Sequence, residues 1–470
     1  MNSKTEQILK VDEAGRVWTP RELRDAVLDE FERSGMPATQ FAARLGVKYP
    51  TFVSWVQQRR KIHESGIAND CAPWPYLPMQ KRVAEFFAGI GLMRVGLDRA
   101  GWETVWANDI DANKEKMYRA HFGRSDEFLL GDVHTVSGAD LPDVELATAS
   151  FPCNDLSLAG SRHGLAGMHS SAFWGFIEVI RGMGRRRPPL VMLENVAGFL
   201  TSNDGDDFRE ALIALNELGY SVDAFIVDAV RFVPQSRVRL FVVGRRETER
   251  VARVEESGFY QSDVRPGALA DFIFMNPEIR WNIRQLPMLP MSTLQLKDII
   301  EDVPLNSELW WSRERCDYLL NQMSPKHLAT AQEMMAGREW SYGTVFRRIR
   351  KGKCMAELRT DGIAGCLRTP RGGSGRQILF CAGQGEFRVR LVTPRECARL
   401  MGADDFKITV AMNQALFGFG DAVCVPVIEW IARNYLNPAL EELLGPMETA
   451  LVREKAVTYP ARRPTRKKTS

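Results

Sequence analysis

Arg82-Val83-Ala84-Glu85-Phe86-Phe87-Ala88-Gly89-Ile90-Gly91 decides how the rest of the chain is read. An apolar strand candidate runs into a glycine-bearing turn, and a helical pattern opens directly after it. Glycine in such a turn lets a ligand approach the backbone closely. It also serves tight strand-to-helix packing alone, so G-x-G by itself leaves both readings open. Five further strand candidates follow: Thr104–Ala107, Leu146–Ser150, Leu190–Leu193, Ser221–Val227 and Arg239–Val243. Helical stretches lie between most of them, the pattern of a doubly wound α/β sheet.

Two acids extend the ligand reading. Asp109 follows the second strand, twenty residues past Gly89, where an acid commonly holds ribose hydroxyls. Asp132, in Gly131-Asp132-Val133, suits an adenine amino group. The phosphate-loop pattern G-x-x-x-x-G-K-[ST] is absent, and Leu92 stands where a dinucleotide fingerprint has its third glycine. A glycine turn with two acids fits a nucleoside without phosphates, and S-adenosyl-L-methionine is the expected cofactor.

Further along, Phe151-Pro152-Cys153-Asn154 places a thiol after one apolar run, and Glu194-Asn195-Val196 places a carboxylate after another. An ionised thiol is a strong nucleophile, and a carboxyl group holds or delivers a proton. A pyrimidine needs both, one at a ring carbon and one at a ring nitrogen, before its unreactive C5 edge can attack. The plainer readings are a buried small hydrophobe for Cys153 and a cap acid for Glu194.

The chain's 470 residues suggest two or three domains, and 45% hydrophobic with 26% charged residues is an ordinary globular balance. No run approaches the roughly 18 apolar residues of a membrane span. The polar N-terminus lacks a signal-peptide core, so the expected location is cytoplasmic. Eight cysteines form no C-x-x-C pair and the six histidines do not cluster with them. That argues against disulfides and structural zinc, and no metal site is expected. Net charge is only +3, but arginine and lysine gather at 59–61, 185–187, 347–353, 368–376 and 462–468. Separate basic patches fit a nucleic-acid surface; solvated loops are the bland alternative.

Residues 1–70 read as a helical extension. Thr19-Pro20 starts one helix, and Thr39 to Val47 with Pro50 to Trp55 outline a helix-turn-helix ahead of Arg59-Arg60-Lys61. A proline-rich linker occupies 71–81, the catalytic domain 82–245, and a less regular domain 246–385. Residues 386–440 return to helix and complete the catalytic domain. The basic tail 441–470 is expected to be disordered.

In this order the segments resemble the DNA cytosine-5 methyltransferase family across about 82–435. Its opening motif is similar to Glu85 to Gly91, its ribose and adenine acids to Asp109 and Asp132, and its nucleophile motif to Pro152-Cys153. Glu194-Asn195-Val196, Gln235-Ser236-Arg237-Val238-Arg239, Thr393-Pro394-Arg395-Glu396-Cys397-Ala398-Arg399-Leu400 and Gly418-Phe419-Gly420-Asp421-Ala422-Val423 follow in the family's order. Departures are Asn154 for glutamine, Phe232 for glycine, Asp421 for asparagine and Leu92 for glycine. The resemblance implies cofactor contacts from Phe87, Gly89, Ile90, Gly91, Asp109, Ile110, Asp132, Val133, Pro152, Asp421 and Val423. It implies that Cys153 adds to C6 of a flipped-out cytosine, that Glu194 meets N3 and the amino group, and that Arg237 and Arg239 hold the base carbonyl. Ser157 and Gln235 would contact DNA, and the loop Ala159 to Gly167 would close over it. The domain at 246–385 would recognise the target sequence, with Arg368, Thr369, Arg371 and Arg376 as reading residues. The expected partners are double-stranded DNA and a restriction endonuclease encoded separately. Methylation is expected from a monomer, with dimerisation through the N-terminal domain as an option. Two other readings stay open: a tRNA cytosine-5 methyltransferase, because that branch shares these motifs, and a DNA-binding regulator acting through the helix-turn-helix.

Overall fold

The computed structural model describes residues 80–123, 125–152, 171–246, 257–350, 352–369 and 375–444, with scattered positions between 10 and 56. The chain divides into two compact units, Met1–Trp74 and Pro75–Ser470.

In the first unit, Val27, Leu28, Phe41, Phe52 and Trp55 form an apolar core. The Phe31 ring packs 5.2 Å from Phe41 and 5.0 Å from Phe52. Lys10–Val11 pairs antiparallel with Val17–Trp18, a small strand pair where helix was expected. Much of the expected helix-turn-helix, with Arg59, Arg60 and Lys61, lies outside the described residues.

The second unit is built on a seven-stranded mixed sheet. Its strands are β1 (Arg82–Phe86), β2 (Glu103–Asp109), β3 (Phe128–Leu130), β4 (Leu146–Ala149), β5 (Leu190–Val196), β6 (Ser221–Asp228) and β7 (Val238–Arg245). They lie in the order β3-β2-β1-β4-β5-β7-β6, parallel except for β7, which is antiparallel to both neighbours. Continuous burial explains why β1, β4 and β5 were legible: strands covered on both faces read as apolar runs. The edge strand β3 escaped because it is three residues long and exposes Leu129 and Leu130.

Helices cover both faces. On one side α1 (Leu92–Asp98) packs against the late helix Val425–Ile431 so closely that a Cβ on Gly96 would lie 2.6 Å from Ile428, and α2 spans Ala112–Phe122. On the other, α3 (Ser171–Gly182) and α4 (Asp206–Glu217) build a second core around Phe176, Phe208 and Leu212. One apolar helical stretch, Met412–Leu444, is long enough to cross a membrane, contrary to the sequence reading. Most of its apolar window is buried inside the unit, so it serves as a core element here.

The stretch 246–385 is not irregular throughout, which corrects the expectation. After α5 (Gly267–Met275), helices α6 (Arg313–Asn321) and α7 (Pro325–Ala336) pack on a four-stranded antiparallel sheet. Its strands are β8 (Ser341–Arg350), β9 (Lys353–Arg359), β10 (Ile378–Gly383) and β11 (Glu386–Leu391), in the order β9-β8-β10-β11. The boundary expected at 385/386 falls within the turn joining β10 to β11, where Gln384 and Gly385 take φ of 58° and 85°. Arg347, Arg348 and Arg350, clustered at the end of β8, hid its strand character in the sequence.

The small sheet is tied back to α8 (Pro394–Leu400) by a wholly buried pair, Arg390 and Glu396. Both guanidinium nitrogens reach the carboxylate, at 2.7 and 2.5 Å. Glu396 also accepts the backbone N–H groups of Thr393 and Glu301, at 2.8 and 2.9 Å. Removing one member of such a pair strands the other charge in the core. Glu396→Ala should cost about 3–5 kcal/mol in urea unfolding, and a loss below about 1 kcal/mol would show the pair to be dispensable.

Candidate active site

Five of the six parallel strands deliver a candidate residue at the carboxyl end, the edge where open α/β sheets place ligands. β1 runs into the glycine turn and β2 ends on Asp109. β3 is followed by Asp132, β4 by Phe151-Pro152, and β5 carries Glu194. Cys153, Ser157, the glycine loop 159–167 and Arg371 lie outside the described residues.

In the cofactor half, Asp109 is buried and tied to the turn. Its Oδ2 accepts the Gly89 N–H at 2.8 Å, and its Oδ1 accepts that of Asp111 at 2.9 Å. The two glycines divide the two readings left open above. A Cβ on Gly91 would come within 2.4 Å of the Phe122 ring, so Gly91 serves packing. Gly89 takes φ of 60° and has nothing nearer its Cβ position than the Phe87 carbonyl at 4.0 Å, which leaves room for a ligand. Phe87 shares the left-handed conformation at φ 56°. Ile110 projects into solvent at 71% exposure, an apolar surface available to a planar ring. Asp132 is exposed and accepts the His134 N–H at 3.0 Å, while Ile90 and Val133 are buried. Asp421 reaches this region through an ion pair with Lys114 at 2.8 Å, and Val423 is buried behind it. Pro152 is exposed.

Glu85 was quoted only as part of a motif, yet it is the most perturbed acid here. Its carboxylate is fully buried on β1 and neither oxygen makes a hydrogen bond of ordinary geometry. Burial pushes its pKa up to about 8, with Arg94 offsetting only part of the effect. A buried carboxyl group without a partner, beneath an open glycine turn, suits a ligand carrying positive charge. The residues present therefore fit S-adenosylmethionine, with its ammonium and sulfonium groups.

In the base half, the antiparallel β7 starts where β5 ends. Val196 pairs with Arg239 in the ladder, which sets Glu194 on the diagonal from Arg239. The Arg239 Nε lies 3.0 Å from Glu194 Oε1, and both side chains are largely buried. Asn195, unassigned in the sequence reading, donates to the Phe151 carbonyl at 3.3 Å and so ties β5 to the Pro-Cys segment.

Two expectations are corrected. Arg237 is not free to hold a base carbonyl: it is buried and donates to the carbonyls of Leu367, Gly420 and Ala422. Gln235 is fully buried and not a DNA contact. Its Nε2 donates to the Leu400 carbonyl at 2.8 Å, and its Oε1 accepts the Leu367 N–H at 3.0 Å. Spacing revealed that both matter but not which way they face. Of the expected reading residues, Arg368 is exposed, Thr369 is half-buried, and Arg376 donates to Asn413 at 2.8 Å. Cys366, missed in the sequence, accepts from Arg237 Nη1 at 3.4 Å. Its pKa is lowered despite burial, by Arg237, Arg239 and Arg368.

The strand order, the glycine turn and the acids along one sheet edge define a Rossmann-like methyltransferase. The family described as C-5 cytosine-specific DNA methylase matches residues 81–437, and the chain belongs to it. Type II methyltransferase M.HaeII of Haemophilus aegyptius is 31% identical over 360 residues, covering 76% of this chain and 93% of that protein. M.HhaI of Haemophilus parahaemolyticus is 27% identical over 361 residues, covering 75% and 93%. The crystal structure of S. pombe Dnmt2 methyltransferase shares the fold, with a TM-score of 0.50 and 18% identity over 78% of this chain and 99% of that one. The protein is thus a DNA (cytosine-5-)-methyltransferase with S-adenosylmethionine as methyl donor.

Glu85 gives this half of the site a pH signature. Between about 4.5 and 8 the folded protein holds a proton on Glu85 that the unfolded chain has released. Folding stability contributed by this group is therefore present at low pH and falls as pH rises through that window. Glu85→Gln should flatten the decline in urea-unfolding experiments at the two ends of the window; an unchanged slope would assign the decline to other groups.

Proposed function

We propose that the chain methylates C5 of a cytosine turned out of a specific duplex sequence, with Cys153 as nucleophile and Glu194 and Arg239 gripping the base. The observation that carries this reading is the Glu194–Arg239 pair at the carboxyl edge of β5, next to the strand that leads into Pro152-Cys153. Attack on C6 comes from above the ring, which stacked neighbours block, so the target must leave the helix. The Cys153 thiolate adds to C6 and pushes electron density to C5, while Glu194 meets N3 and the amino group. Arg239 orients Glu194 and reaches the base carbonyl, the task the sequence had divided between two arginines. S-adenosylmethionine, when bound, supplies an electrophilic methyl group. C5 gains that methyl group, then loses its proton to a base as the C6–S bond breaks, restoring the aromatic ring and the thiolate.

Asp109, Ile110 and Asp132 would hold the nucleoside end of the cofactor, Gly89 would admit its backbone-side approach, and Glu85 would face its positive charge. Asn195 acts as a positioning residue for the segment before Cys153. The region around β8 to β11 would recognise the DNA sequence, and the first unit would bind DNA as a helix-turn-helix and, through pairing, dimerise. The Type II names of the relatives support a restriction-modification setting in the cytoplasm, with the endonuclease encoded separately.

Bisulfite sequencing of plasmid DNA from cells expressing the protein should show methylated cytosine in one sequence context. Methyl transfer to tRNA with none to duplex DNA would overturn the reading. Cys153→Ser should abolish transfer while leaving DNA binding intact, and Glu194→Gln should lower kcat by about 10²–10⁴-fold. A Glu194→Gln enzyme within about threefold of the parent, far short of that range, would remove Glu194 from the chemistry.

A further inference from the structure

Next to the Glu194–Arg239 pair lies a cavity of about 250 Å³ that none of these roles uses. Strands β8 and β9 contribute Phe346, Arg348 and Glu357 to its lining. Cys366, Arg368 and Gln377 complete it. Cys366 is shared with the active site, because its sulfur also meets Arg237 and Arg239. The cavity is therefore one side chain away from the residues that hold the target base.

Its chemistry is specific. Gln377 is 5% exposed, and its Nε2 donates to the Cys366 carbonyl at 3.3 Å. That contact fixes the orientation of the amide and leaves Oε1 buried without a donor. Gly365 allows this placement: a Cβ there would lie 2.9 Å from Oε1 and 2.8 Å from Nε2. The guanidinium groups of Arg348 and Arg368 sit 5.3 and 5.6 Å from the centre of the Phe346 ring. Arg348 shares Glu357 with Arg350. Arg368 has no carboxylate partner among the described residues. The pocket thus brings together an aromatic ring, two guanidinium groups and an unanswered acceptor.

We propose that this cavity receives an unstacked guanine flanking the target cytosine, and so sets one position of the recognition sequence. Guanine carries adjacent acceptors, O6 and N7, and carries its donors, N1–H and the 2-amino group, on the far side of the same ring. Arg368, supported by Arg348, donates to O6 and N7, as arginine does to guanine in DNA grooves. Gln377 Oε1 accepts from the 2-amino group, and Phe346 covers the ring. Duplex pairing presents N7 and the 2-amino group in opposite grooves, so one pocket meets both only if the base has left the stack. Cytosine and thymine lack the paired acceptors, and adenine places an amino group where O6 would be. The assignment rests on the methyltransferase reading for its geometry, but binding alone tests it.

The test is equilibrium binding of the full-length protein to duplexes carrying its methylation site, with each flanking guanine replaced in turn by inosine or 7-deazaguanine. Inosine lacks the 2-amino group and 7-deazaguanine lacks N7. One position should respond to both replacements, each weakening binding by about tenfold. At that position Gln377→Leu should erase the inosine effect and retain the 7-deazaguanine effect, and Arg368→Ala should do the reverse. No doubly sensitive position, or Gln377→Leu with the inosine effect intact, overturns the proposal. Arg368 is exposed, so its variant decides the matter even if Gln377→Leu does not fold. A protein that binds with this pattern yet transfers no methyl group would sink the catalytic reading and leave the cavity assignment standing.

Discussion

The arrangement depends on one buried guanidinium. Arg237 stands immediately before β7 and donates to the carbonyls of Leu367, Gly420 and Ala422, in two stretches far apart in the chain. A positive charge removed from water costs several kcal/mol unless carbonyl dipoles or an anion replace its hydration. The chain must therefore hold 367, 420 and 422 at one fixed point, or leave the charge unsatisfied. Gln235 repeats the constraint two residues earlier by bridging Leu367 and Leu400. Together they fasten the central sheet, the strap beside the small sheet and the C-terminal helices into one frame. The close approach of Gly420 to Arg368 and Thr369, where a Cβ would come within 2.6 Å, follows from the same convergence.

That frame explains why Arg239 is available to Glu194. Residues alternate in facing along a strand, so the two arginines of Arg237-Val238-Arg239 share a side but sit at different depths. Arg237 is spent on the fold at the inner position. Arg239 lies nearer the rim, opposite Val196, and reaches Glu194. Reversing β7 between β5 and β6 is what brings the start of one strand to the end of the other. With β7 parallel, Arg239 would lie at the far edge of the sheet from Glu194.

How much of this was legible follows from the same distinction. The glycine turn, the strands β1, β4 and β5 and the acids Asp109 and Glu194 were readable because burial and strand ends leave a local pattern. The facing of Arg237 and Gln235 was not, since their partners lie more than a hundred residues away. Glycine posed the same difficulty at smaller scale. Gly89 and Gly91 look equivalent in G-x-G, but the packing rings against Gly91 come from α2, and only tertiary structure separates the two roles. The small sheet was hidden for another reason. β8 carries Arg347, Arg348 and Arg350 among its apolar residues, so charge obscured the alternation that marks a strand.

The two halves of the site handle buried charge in opposite ways. On β5, Glu194 has a cationic partner from its own chain, so the pair is set before any base arrives. Such preorganisation reserves binding energy for orienting the ring rather than for assembling the grip. On β1, Glu85 is buried without an adequate partner and holds its proton well above the ordinary carboxylate range. A cationic group placed beside it would favour the ionised form and expel that proton, as Arg94 does in part. The unpaired Gln377 oxygen beside the second cavity follows the same logic with a neutral group. By contrast, the charges that hold the frame together, Arg237 and the Arg390–Glu396 pair, meet carbonyl or carboxylate partners within the chain.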